Sequence, residues 1–433
     1  MYLPPNVHLC IETLEQAGFS CYAVGGCVRD ALLGLTPHDY DLCTAAKPET
    51  IAQIFSQYDL VRSGEKHGTI GVVLDGEVYE ITTYRTEGDY TDSRHPGWVE
   101  FVDDITLDLS RRDFTVNAMA YSPKWGYADP FGGRRDLEDK VLRCVGDPER
   151  RFSEDALRIL RGVRFAVRYG LEAEAATKEA MFRLAPLMEH LARERVFDEL
   201  CKLLPLVDAP ALQAFAPVLT QVIPELAPLM GFDQRNIHHV HDIFTHTAHV
   251  VAGVGTDLPL RWAALLHDIG KPGCFTLDEQ GQGHFYGHAK LGAQLADQIL
   301  LRLKAPTALR QRVALLIEQH MTPLEPDNKL LRRRLSKLGA EAVHQLLCLQ
   351  QADLGGKPGD GRDFAAIRQL LAQIEQENAC LCIRDLALNG HDLMHLGYQG
   401  PAIGQALQYL LEQVLDEQVE NEKEALLTAL KQR

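Results

Sequence analysis

The sequence predicts a mixed α/β head followed by an all-helical remainder, and two observations carry this prediction. Short runs of β-branched and aromatic residues, bounded by glycine and aspartate, recur within the first 85 residues and are typical of strands. From residue 147 onward, apolar residues recur at helical spacing between proline- and glycine-containing boundaries, which is typical of packed helices. At 433 residues, the chain is long enough for about two to four domains.

Composition narrows the class of protein. The chain is 46% hydrophobic and 24% charged, has no run of eighteen apolar residues and begins with no signal peptide, so we expect a cytoplasmic protein without a membrane partner. Its ten cysteines include no Cys-x-x-Cys pair, which indicates reduced thiols. The net charge of −16 argues against a general nucleic-acid coat protein.

The first predicted elements are a helix over residues 1–20 and a strand at Cys21–Val24, which runs into the pair Gly25-Gly26. Two glycines let backbone N–H groups approach an anion without an intervening Cβ atom. A predicted helix over residues 28–35 follows and would offer its N-terminus to a phosphate, with Arg29 placed to clamp it. The glycine pair therefore predicts a phosphate-binding turn, and an ordinary turn is the alternative.

Asp39 and Asp41 form the second part of this predicted site. In a strand the two carboxylates lie on one face, because side chains alternate with a period of two. Adjacent carboxylates repel each other unless a cation lies between them, and hard Mg²⁺ prefers such oxygen ligands. A phosphate-binding turn beside a two-carboxylate metal site predicts phosphoryl or nucleotidyl transfer. The alternative is chance occurrence in an acidic chain.

Two further strands are predicted at residues 69–74 and 78–84, joined by a turn at Asp75-Gly76, after a helix over residues 47–58. Glu80 is an acidic residue within the second of these strands. It therefore either faces solvent or contributes a third carboxylate to the site, as a metal ligand or as a general base.

The following segment combines an irregular stretch with a basic one. Residues 85–98 have no hydrophobic periodicity and are predicted to form a long loop, which in a compact domain is usually functional or disordered. Ser110 is predicted to cap a helix, and Arg112 is placed to reach a triphosphate. Residues 111–168 hold thirteen Lys/Arg and nine Asp/Glu, a local excess of +4, and form the predicted track for a phosphate backbone.

A strong helix is predicted to begin at Ser153 as its N-cap. Asp155 and Arg158 are three residues apart on this helix and are therefore neighbours on its surface. Such a pair is suited to hydrogen-bond the edge of a base. Spacing alone favours an ordinary i,i+3 salt bridge on a solvated face, so both interpretations stay open at this point.

Four groups of residues together resemble the bacterial class II tRNA nucleotidyltransferases, which share ancestry with bacterial poly(A) polymerases. They are Gly-Gly-x-Val-Arg-Asp with Asp-x-Asp, Arg-Arg-Asp-Phe-Thr-x-Asn-Ala, Glu-Asp-x-x-Arg, and Glu-Arg-Val-x-x-Glu-Leu, in this order over about residues 20–205. The resemblance implies a nucleotidyltransferase head with a polymerase β-like mixed sheet, an all-α neck, and helical body and tail domains. It also implies addition of C, C and A to the tRNA 3′ end from CTP and ATP without a nucleic-acid template.

The resemblance also implies roles for individual residues. Asp39 and Asp41 would hold Mg²⁺, and Glu80 matches a carboxylate commonly placed third in such a site. Gly26 and Arg29 would bind the nucleotide phosphates. The other positions that match the family's nucleotide contacts are Arg112, Asp155, Arg158, Arg161 and Arg164. Within that set the Asp-x-x-Arg pair is the family's base-reading device, which replaces the salt-bridge interpretation.

The second half of the chain is rich in histidine beside apolar helical runs. Imidazole and carboxylate groups together suit Mn, Fe, Ni, Co or Zn and can activate water for phosphoester hydrolysis. Their order over residues 231–356 resembles the HD phosphohydrolase superfamily, which implies an HD-type helical domain with phosphatase or 2′,3′-cyclic phosphodiesterase activity. The matching metal ligands are His246, His267, Asp268, His288, His320 and Asp353. A second pair, His391-Asp392, lacks such partners and is predicted to be a helix-capping turn.

These inferences predict five segments. They are a head (1–146), a neck for nucleotide selection (147–205), a linker (206–230), an HD-type domain (231–356) and a helical tail (357–433). The expected enzyme adds CCA to tRNA, with Mg²⁺ in the head and a divalent transition metal in the HD-type domain. The sequence gives no oligomeric state.

Two alternatives to a CCA-adding enzyme are retained. The first is a poly(A) polymerase or an A-only tRNA nucleotidyltransferase, because these share the head motifs. The second is an HD-type nucleotide phosphohydrolase with an RNA-binding head, against which the intact Asp39, Asp41 and Arg112 argue. The loop at 85–98 matches one that full CCA-adding members keep, which argues against CC-only addition.

Overall fold

A computed structural model describes residues 1–88, 98–235, 241–355 and 362–432 of the chain. It contains two compact units, Met1–Val207 with Ala214–Pro224, and Asp208–Gln213 with Glu225–Arg433. The first unit carries a mixed sheet and the second is almost entirely helical, so the predicted fold class is confirmed. Within the described residues, no helix combines the length and the apolar character that crossing a bilayer requires.

The first unit alternates short strands and helices before it becomes helical. In chain order its elements are α1 (Pro5–Gln16), β1 (Cys21–Val24), α2 (Gly26–Leu32), β2 (Asp41–Thr44), α3 (Pro48–Ile54), β3 (Leu60–Val61), β4 (Thr69–Leu74), β5 (Glu77–Thr83), β6 (Arg85–Glu87), β7 (Val99–Phe101), α4 (Ile105–Ser110), β8 (Ala120–Ser122), β9 (Gly126–Ala128), α5 (Gly133–Glu138), β10 (Val141–Leu142), α6 (Pro148–Glu154), α7 (Leu157–Tyr169), β11 (Glu172–Ala173), α8 (Ala175–Leu184), α9 (Arg193–Leu203) and α11 (Ala216–Val222). Helix α10 (Ala209–Ala214) comes between α9 and α11 in the chain, but all of it except Ala214 belongs to the second unit.

A seven-stranded sheet in the order β3-β4-β5-β2-β1-β8-β9 positions the site. Strand β1 is antiparallel to β2, and Val24 pairs with Asp41, so the turn after β1 lies beside the first residue of β2. Strand β2 is parallel to β5 with Leu42 opposite Ile81, which brings Glu80 level with Asp41. The register therefore gathers the glycine turn and two carboxylates at one end of the sheet.

Local turn chemistry and burial agree with the strand predictions. Asp75 and Gly76 both have positive φ values, 51° and 83°, as a two-residue hairpin turn between β4 and β5 requires. One core of the head packs side chains of β1, β2 and β8 against the helix α4. Its buried members are Tyr22, Val24, Cys43, Tyr84, Leu109, Ala118, Ala120 and Val145.

Four predicted local structures are wrong. Asp39 lies two residues before β2 and is not in a strand, because the pairing with β1 ends at Val24 and Asp41 and the pairing with β5 begins only at Leu42. Ser110 ends α4 and does not begin a helix. Ser153 lies inside α6, whose N-cap is Asp147. The chain after α6 breaks at residues 155–156 before α7 begins, so one continuous helix does not exist there.

Two other predictions are corrected in extent. The helix expected over residues 28–35 is α2, which begins two residues earlier at Gly26 and ends at Leu32. The loop expected over residues 85–98 contains strand β6, which pairs with β7 immediately beyond it. The central part of that predicted loop, residues 89–97, lies outside the described residues.

The second unit is a set of packed helices with one short hairpin. Its elements are α12 (Ile243–Gly253), α13 (Leu258–Leu266), β12 (Thr276–Leu277), β13 (Gly283–His284), α14 (His288–Arg302), α15 (Thr307–Gln319), α16 (Asn328–Leu338), α17 (Ala340–Leu354), α18 (Phe364–Gln376), α19 (Gly390–His395), α20 (Pro401–Leu415) and α21 (Lys423–Lys431). The pair His391-Asp392 lies in the first turn of α19, where Asn389 and Asp392 form a reciprocal capping box. The prediction of a capping turn is confirmed.

Candidate functional site

The glycine turn after β1 is shaped by two constraints that a larger residue would break. Gly25 has a φ of 72°, and its N–H donates to the carbonyl oxygen of Met119 at 2.9 Å. A Cβ atom at this position would lie 2.8 Å from Nη1 of Arg112. The absent side chain therefore lets the Arg112 guanidinium lie directly against the turn.

Arg29 of α2 is held rigidly and is nearly buried. Its Nε and Nη2 donate to Oδ1 of Asp30 at 2.9 and 2.7 Å, and its Nη1 donates to Asn117. Its guanidinium carbon lies 4.3 Å from the ring centre of Tyr169, which fits a cation–π contact. Protein contacts thus fix the orientation of this cation before any ligand binds.

A buried carboxylate orients two arginines of the Arg-Arg-Asp motif. Asp108 is fully buried, with Oδ1 at 2.9 Å from Nη2 of Arg111 and Oδ2 at 3.4 Å from Nη2 of Arg112. Burial raises the pKa of Asp108, but the two guanidinium groups outweigh it and lower the pKa below its ordinary value. Asp108 therefore stays ionised and anchors both cations.

A cleft of about 440 Å³ gathers most of the predicted nucleotide-contacting residues. Its lining consists of Gly25, Gly26, Arg29, Asp41, Arg111, Arg112, Asp113, Asn117, Asp155, Leu157, Arg158, Arg161, Phe165 and Arg195. Six of these side chains are arginines and three are aspartates, so the lining has an excess of positive charge. Such a surface suits a polyanion of the size of a nucleoside triphosphate.

Asp41 also lines a second cleft, which carries four carboxylates: the three predicted ones and that of Glu77. Asp39, Asp41 and Glu80 all face this space, together with His38 and Tyr79. Asp41 is accessible to solvent, yet the surrounding protein partly desolvates it and raises its pKa, while Arg112 opposes that shift. All three predicted carboxylates therefore line one acidic cleft, and Asp41 lines both this cleft and the arginine-rich one.

The predicted base-reading residues both line the first cleft but do not pair with each other. Oδ2 of Asp155 accepts from Nη2 of Arg195 at 2.7 Å. Nη1 of Arg158 donates to Oε2 of Glu154 at 2.8 Å and to the carbonyl oxygen of Arg151 at 3.0 Å. The i,i+3 salt bridge that spacing alone favours is therefore absent from the described contacts.

The two remaining predicted arginines of α7 have different surroundings. Arg161 lines the cleft, and its Nε and Nη2 both lie 2.8 Å from Oδ2 of Asp113. Burial raises the pKa of Asp113, but Arg161 outweighs it, and the pKa falls to about 2. Arg164 is buried, with Nε at 2.5 Å from Oε1 of Glu199, and is not among the described residues that line the cleft.

All six predicted ligands of the HD-type site lie in one cluster of the second unit, in which five are buried and Asp353 is half-buried. Asp268 is central, with Oδ2 at 3.3 Å from Nε2 of His267 and Oδ1 at 3.5 Å from Nε2 of His288. Two groups of three donors share this carboxylate, one with His246 and His267 and the other with His288 and His320. In each group the donor atoms lie within 4.8 Å of one another.

Three of the histidines are oriented in the same way. Nδ1 of His267, His288 and His320 lies 2.8, 2.8 and 2.6 Å from the backbone carbonyl oxygen three residues earlier. Because a carbonyl only accepts, Nδ1 carries the proton and Nε2 is the lone-pair atom. His246 differs, since its Nε2 lies 2.9 Å from Oδ1 of Asp353.

Burial keeps most of these imidazoles in the neutral form that binds metals. It lowers the pKa of His246 and of His288, and it lowers that of His320 to about 4. Burial also lowers the pKa of His267, but the adjacent Asp268 outweighs it and the net shift is upward. Three neutral nitrogen donors are therefore available at neutral pH without loss of a proton.

This donor set fits a divalent transition metal ion. Nε2 of His267 is fully buried and completes no hydrogen bond of good geometry with any described residue, as expected of a ligand atom. Lys271 is also buried, with Nζ at 2.7 Å from Oδ2 of Asp268 and at 3.2 Å from Oε1 of Gln234. Imidazole nitrogen with carboxylate oxygen is the combination that Mn, Fe, Ni, Co and Zn favour.

Sequence reasoning missed several residues that the structure brings into these sites. The main one is Arg195, which lines the first cleft. Its place in the Glu-Arg-Val-x-x-Glu-Leu motif is the sequence signal that could have identified it. Two further residues of the motifs accept hydrogen bonds from arginines of the cleft: Glu154 from Arg158, and Asn117 from Arg29. Lys271 follows the His-Asp pair by three residues, a spacing that predicts contact on a helical turn.

Comparisons with known proteins agree with this geometry. The family model "Poly A polymerase head domain" matches residues 21–143, and "tRNA nucleotidyltransferase domain 2" matches residues 282–430. The CCA-adding enzyme of Streptococcus suis is 34% identical over 97% of this chain and 94% of its own length, and that of Geobacillus stearothermophilus is 32% identical over 98% and 95%.

A solved structure extends the similarity to the whole fold. The crystal structure of the Bacillus stearothermophilus CCA-adding enzyme in complex with CTP has a TM-score of 0.75 and 30% identity. The alignment covers 100% of this chain and 98% of that one. With identity above 30% across nearly the full length of curated relatives, and with a shared architecture, the chain belongs to the family of CCA-adding enzymes.

Proposed function

We propose that the cleft at Asp41 transfers two CMP units and one AMP unit from CTP and ATP to the 3′ end of tRNA, without a nucleic-acid template. The observation that carries this proposal is that Asp41 lines both the arginine-rich cleft and the acidic cleft that also holds Asp39 and Glu80. A nucleoside triphosphate in the first would meet an acceptor hydroxyl in the second at this carboxylate. The similarity to a CCA-adding enzyme crystallised with CTP supports the choice of substrate.

Asp39 and Asp41 would hold Mg²⁺ at this meeting point, with Glu80 as the third carboxylate. The type of donor fits, because carboxylate oxygens are the ligands Mg²⁺ prefers and all three of these carboxylates line one cleft. The raised pKa of Asp41 also indicates an anion that a cation would stabilise. When bound, such an ion supplies charge neutralisation at the α-phosphate and at the attacking hydroxyl.

The arginines of the cleft bind the phosphates and stabilise the charge that develops during transfer. In the transfer, the 3′ hydroxyl of tRNA loses its proton to a carboxylate of the acidic cleft, and its oxygen bonds to the α-phosphorus. The bond from that phosphorus to the β-phosphate oxygen breaks, and pyrophosphate leaves. Arg29, Arg112 and Arg161 are already oriented by Asp30, Asp108 and Asp113, as described above. Donors that need no reorientation stabilise the charge that develops on the leaving group. Gly26 leaves room for the phosphates beside the turn.

Base selection follows from the chemistry of Asp155 and Arg158. A carboxylate only accepts hydrogen bonds, and cytosine and adenine both carry an exocyclic amino group, whereas uracil and guanine carry a carbonyl oxygen at the equivalent position. Asp155 therefore attracts the two correct bases and repels the two wrong ones. Arg158 donates to ring nitrogen or oxygen acceptors on the same edge.

Incubation with a tRNA that lacks its CCA end tests this proposal. Labelled CTP alone is expected to extend the tRNA, and labelled ATP is expected to enter efficiently only when CTP is also present. Repeated incorporation of ATP alone would instead indicate a poly(A) polymerase. Single ATP addition only to tRNA ending in CC would indicate an A-only enzyme.

A second activity is proposed for the six-residue cluster around Asp268. The buried donors fit a divalent transition metal, which when bound would supply an activated water for phosphoester hydrolysis. His246, His267, His288, His320, Asp268 and Asp353 would hold it. Lys271 lies within reach of Asp268 and would add positive charge for a substrate phosphate. A 2′,3′-cyclic nucleotide is the proposed substrate.

We also propose a division of the chain into five segments and a location in the cytoplasm. Division into a head (1–146), neck (147–205), linker (206–230), HD-type domain (231–356) and tail (357–433) is the arrangement that the motifs support. Action on tRNA supports a location in the cytoplasm. Limited proteolysis tests the boundaries, since exposed linkers are the preferred sites of cleavage.

A further inference from the structure

Asp155 occupies a position where the backbone does not fix its side chain. It lies in the two-residue break between α6 and α7, with extended dihedral angles of −147° and 100°. A residue within a helix would have its direction set by the helix, but Asp155 depends on contacts made by its carboxylate. Reading a base requires that those two oxygens point consistently into the cleft.

Two contacts supply that direction. Oδ1 of Asp155 accepts from the backbone N–H of Leu157 at 3.1 Å, which is a local turn contact. Oδ2 accepts from Nη2 of Arg195 at 2.7 Å, forty residues away along the chain. Both side chains of this ion pair are mostly shielded, with 16% and 24% of their surface exposed, so solvent screens their attraction only partly.

Arg195 stands on an element that is itself anchored to α7. It lies in the first turn of α9, and four residues later on the same helix Glu199 pairs with Arg164 of α7. The side chains of that second pair are 10% and 5% exposed. The position of Arg195 relative to the base-reading segment is therefore fixed by a buried ion pair, which gives Arg164 a role away from the cleft.

Arg158 would otherwise be the natural partner of Asp155. The Arg158 guanidinium is already bonded through Nη1 to Glu154 and Arg151, and through Nη2 to the carbonyl oxygen of Arg111 at 3.2 Å. Asp155 is thus paired with Arg195, and Arg158 is paired with Glu154, so the two base-reading side chains do not pair with each other. If Asp155 turned to Arg158, the acceptor for an amino group and the donor for a ring acceptor would satisfy each other.

We propose that Arg195 is a positioning residue that sets the Asp155 carboxylate for base selection. This inference rests on the proposed function of the cleft and assigns its specificity to a residue outside the Asp-x-x-Arg pair. Arg195 keeps one lone pair of Oδ2 occupied and leaves the others for the amino group of cytosine or adenine. Without it, Asp155 rotates toward the neighbouring cations, and discrimination against uracil and guanine falls.

Two measurements with the full-length protein test this inference: the equilibrium binding of CTP and UTP, and the kinetics of their addition to tRNA. Arg195→Ala is expected to lower the preference for CTP over UTP roughly tenfold, the loss of about one charge-assisted contact, mainly through weaker binding of CTP and a raised KM. Arg195→Lys keeps the charge and is expected to restore part of the preference. Arg193→Ala, at an arginine two residues earlier in α9 that donates to the carbonyl oxygen of Glu189, is the matched control.

A double-mutant cycle separates positioning from a direct or structural role. If Arg195 acts through Asp155, then adding Arg195→Ala to Asp155→Ala leaves the CTP/UTP preference unchanged. An equal loss in both backgrounds, or no loss in either, overturns the inference, as does a wild-type protein that binds CTP and UTP alike. Because binding is measured without tRNA, a wild type that selects CTP but transfers nothing would refute the proposed function and leave this inference standing.

Discussion

Asp41 is the residue on which the proposed transfer depends most directly. It is the first residue of β2, pairs with Val24 beside the glycine turn, and faces both clefts of the head. Its neighbour Asp39 lines the acidic cleft but is not among the described residues that line the arginine-rich cleft. The two carboxylates therefore contribute differently, although the sequence presents them as an equivalent pair.

Removal of the Asp41 charge is expected to abolish transfer of both nucleotides. Asp41→Asn keeps the shape of the side chain but removes a metal ligand, so the rate of CMP and AMP addition should fall roughly a thousandfold, the equivalent of several kcal/mol. Single-turnover extension of tRNA lacking CCA measures this. Glu49→Gln, an exposed acidic residue on α3, is the control, and near-normal CTP addition by Asp41→Asn would contradict the assignment.

The Asp113 carboxylate is expected to give the first unit a pH-dependent stability. Its pKa falls from an ordinary value of 3.8 to about 2 in the folded protein, so the unfolded state binds the proton more readily. The stabilisation, about 2 kcal/mol, is complete above pH 4 and disappears as the pH falls through about 2. Urea unfolding of Asp113→Asn against the wild type measures it.

The control for that experiment is Asp103→Asn, which alters an exposed carboxylate ten residues earlier. Asp113→Asn should lower the urea midpoint at pH 7, and the gap between the two proteins should close toward pH 2. A gap that is independent of pH would mean that the Asp113–Arg161 contact does not supply the stability assigned to it.

At the scale of elements, strand β1 and the β4–β5 hairpin are predictable from the sequence, and so is the helical character of the neck, but the ends of the neck helices are not. Strand β1 and the β4–β5 hairpin follow from apolar runs ended by glycine or Asp-Gly, because those residues permit the turns that end them. The break between α6 and α7 has no glycine or proline to signal it, and the sequence therefore predicts one continuous helix from Ser153, which the structure does not contain. Tertiary contacts of Asp155 and Arg158, invisible in the sequence, accompany that break.

Close packing between the end of α13 and the start of α14 is expected to hold the second cluster together. A Cβ atom at Gly270 would lie 2.5 Å from the carbonyl oxygen of His288 and 2.7 Å from the backbone nitrogen of Gly292. Gly270→Ala must therefore push α14 away, separating His288 from Asp268. We expect a loss of about 1–3 kcal/mol in stability and weaker Ni²⁺ or Mn²⁺ binding.

Thermal unfolding and calorimetric titration with these metals measure both effects. Gly255→Ala is the matched control, because nothing lies within 4 Å of a Cβ atom there. If Gly270→Ala binds the metal as tightly as Gly255→Ala, then the spacing of α13 and α14 does not determine the donor geometry.

At the scale of the whole molecule, the two proposed activities belong to different compact units. Asp39 and Asp41 lie in the first unit, and all six residues of the Asp268 cluster lie in the second. The chemistries also differ, since transfer must exclude water whereas hydrolysis must activate it. Asp268→Asn is therefore expected to abolish hydrolysis of a 2′,3′-cyclic nucleotide with Ni²⁺ or Mn²⁺ and to spare CCA addition.

Asp392→Asn is the control for that substitution, since it makes the same change in the other His-Asp pair, which caps α19. It should preserve both activities. Absence of hydrolysis by the wild type with any of these metals would make the cluster structural. Loss of nucleotide addition by a folded Asp268→Asn protein would show that the two units are functionally coupled.

The sequence was most informative where chemistry depends on the type and order of residues. Asp39 and Asp41 are predicted from the glycine turn and the Asp-x-Asp spacing, whereas the six donors of the second unit are predicted because their order resembles the HD phosphohydrolase superfamily. It was least informative about partners, since Arg195 and Glu199 act through contacts about forty residues away. The residue that orients such a group is determined by tertiary packing, which the spacing of nearby residues in the sequence does not predict.

Extension of a tRNA lacking CCA, with all four nucleoside triphosphates present at equal concentration, tests the central claim most directly. Sequencing of the product 3′ ends shows both which nucleotides enter and where addition stops. Base selection by Asp155 and Arg158 in a cleft without a template predicts one dominant product that ends in CCA, with UMP and GMP nearly absent. A tail of adenylates, a product that stops at CC, or random incorporation of the four nucleotides would contradict it.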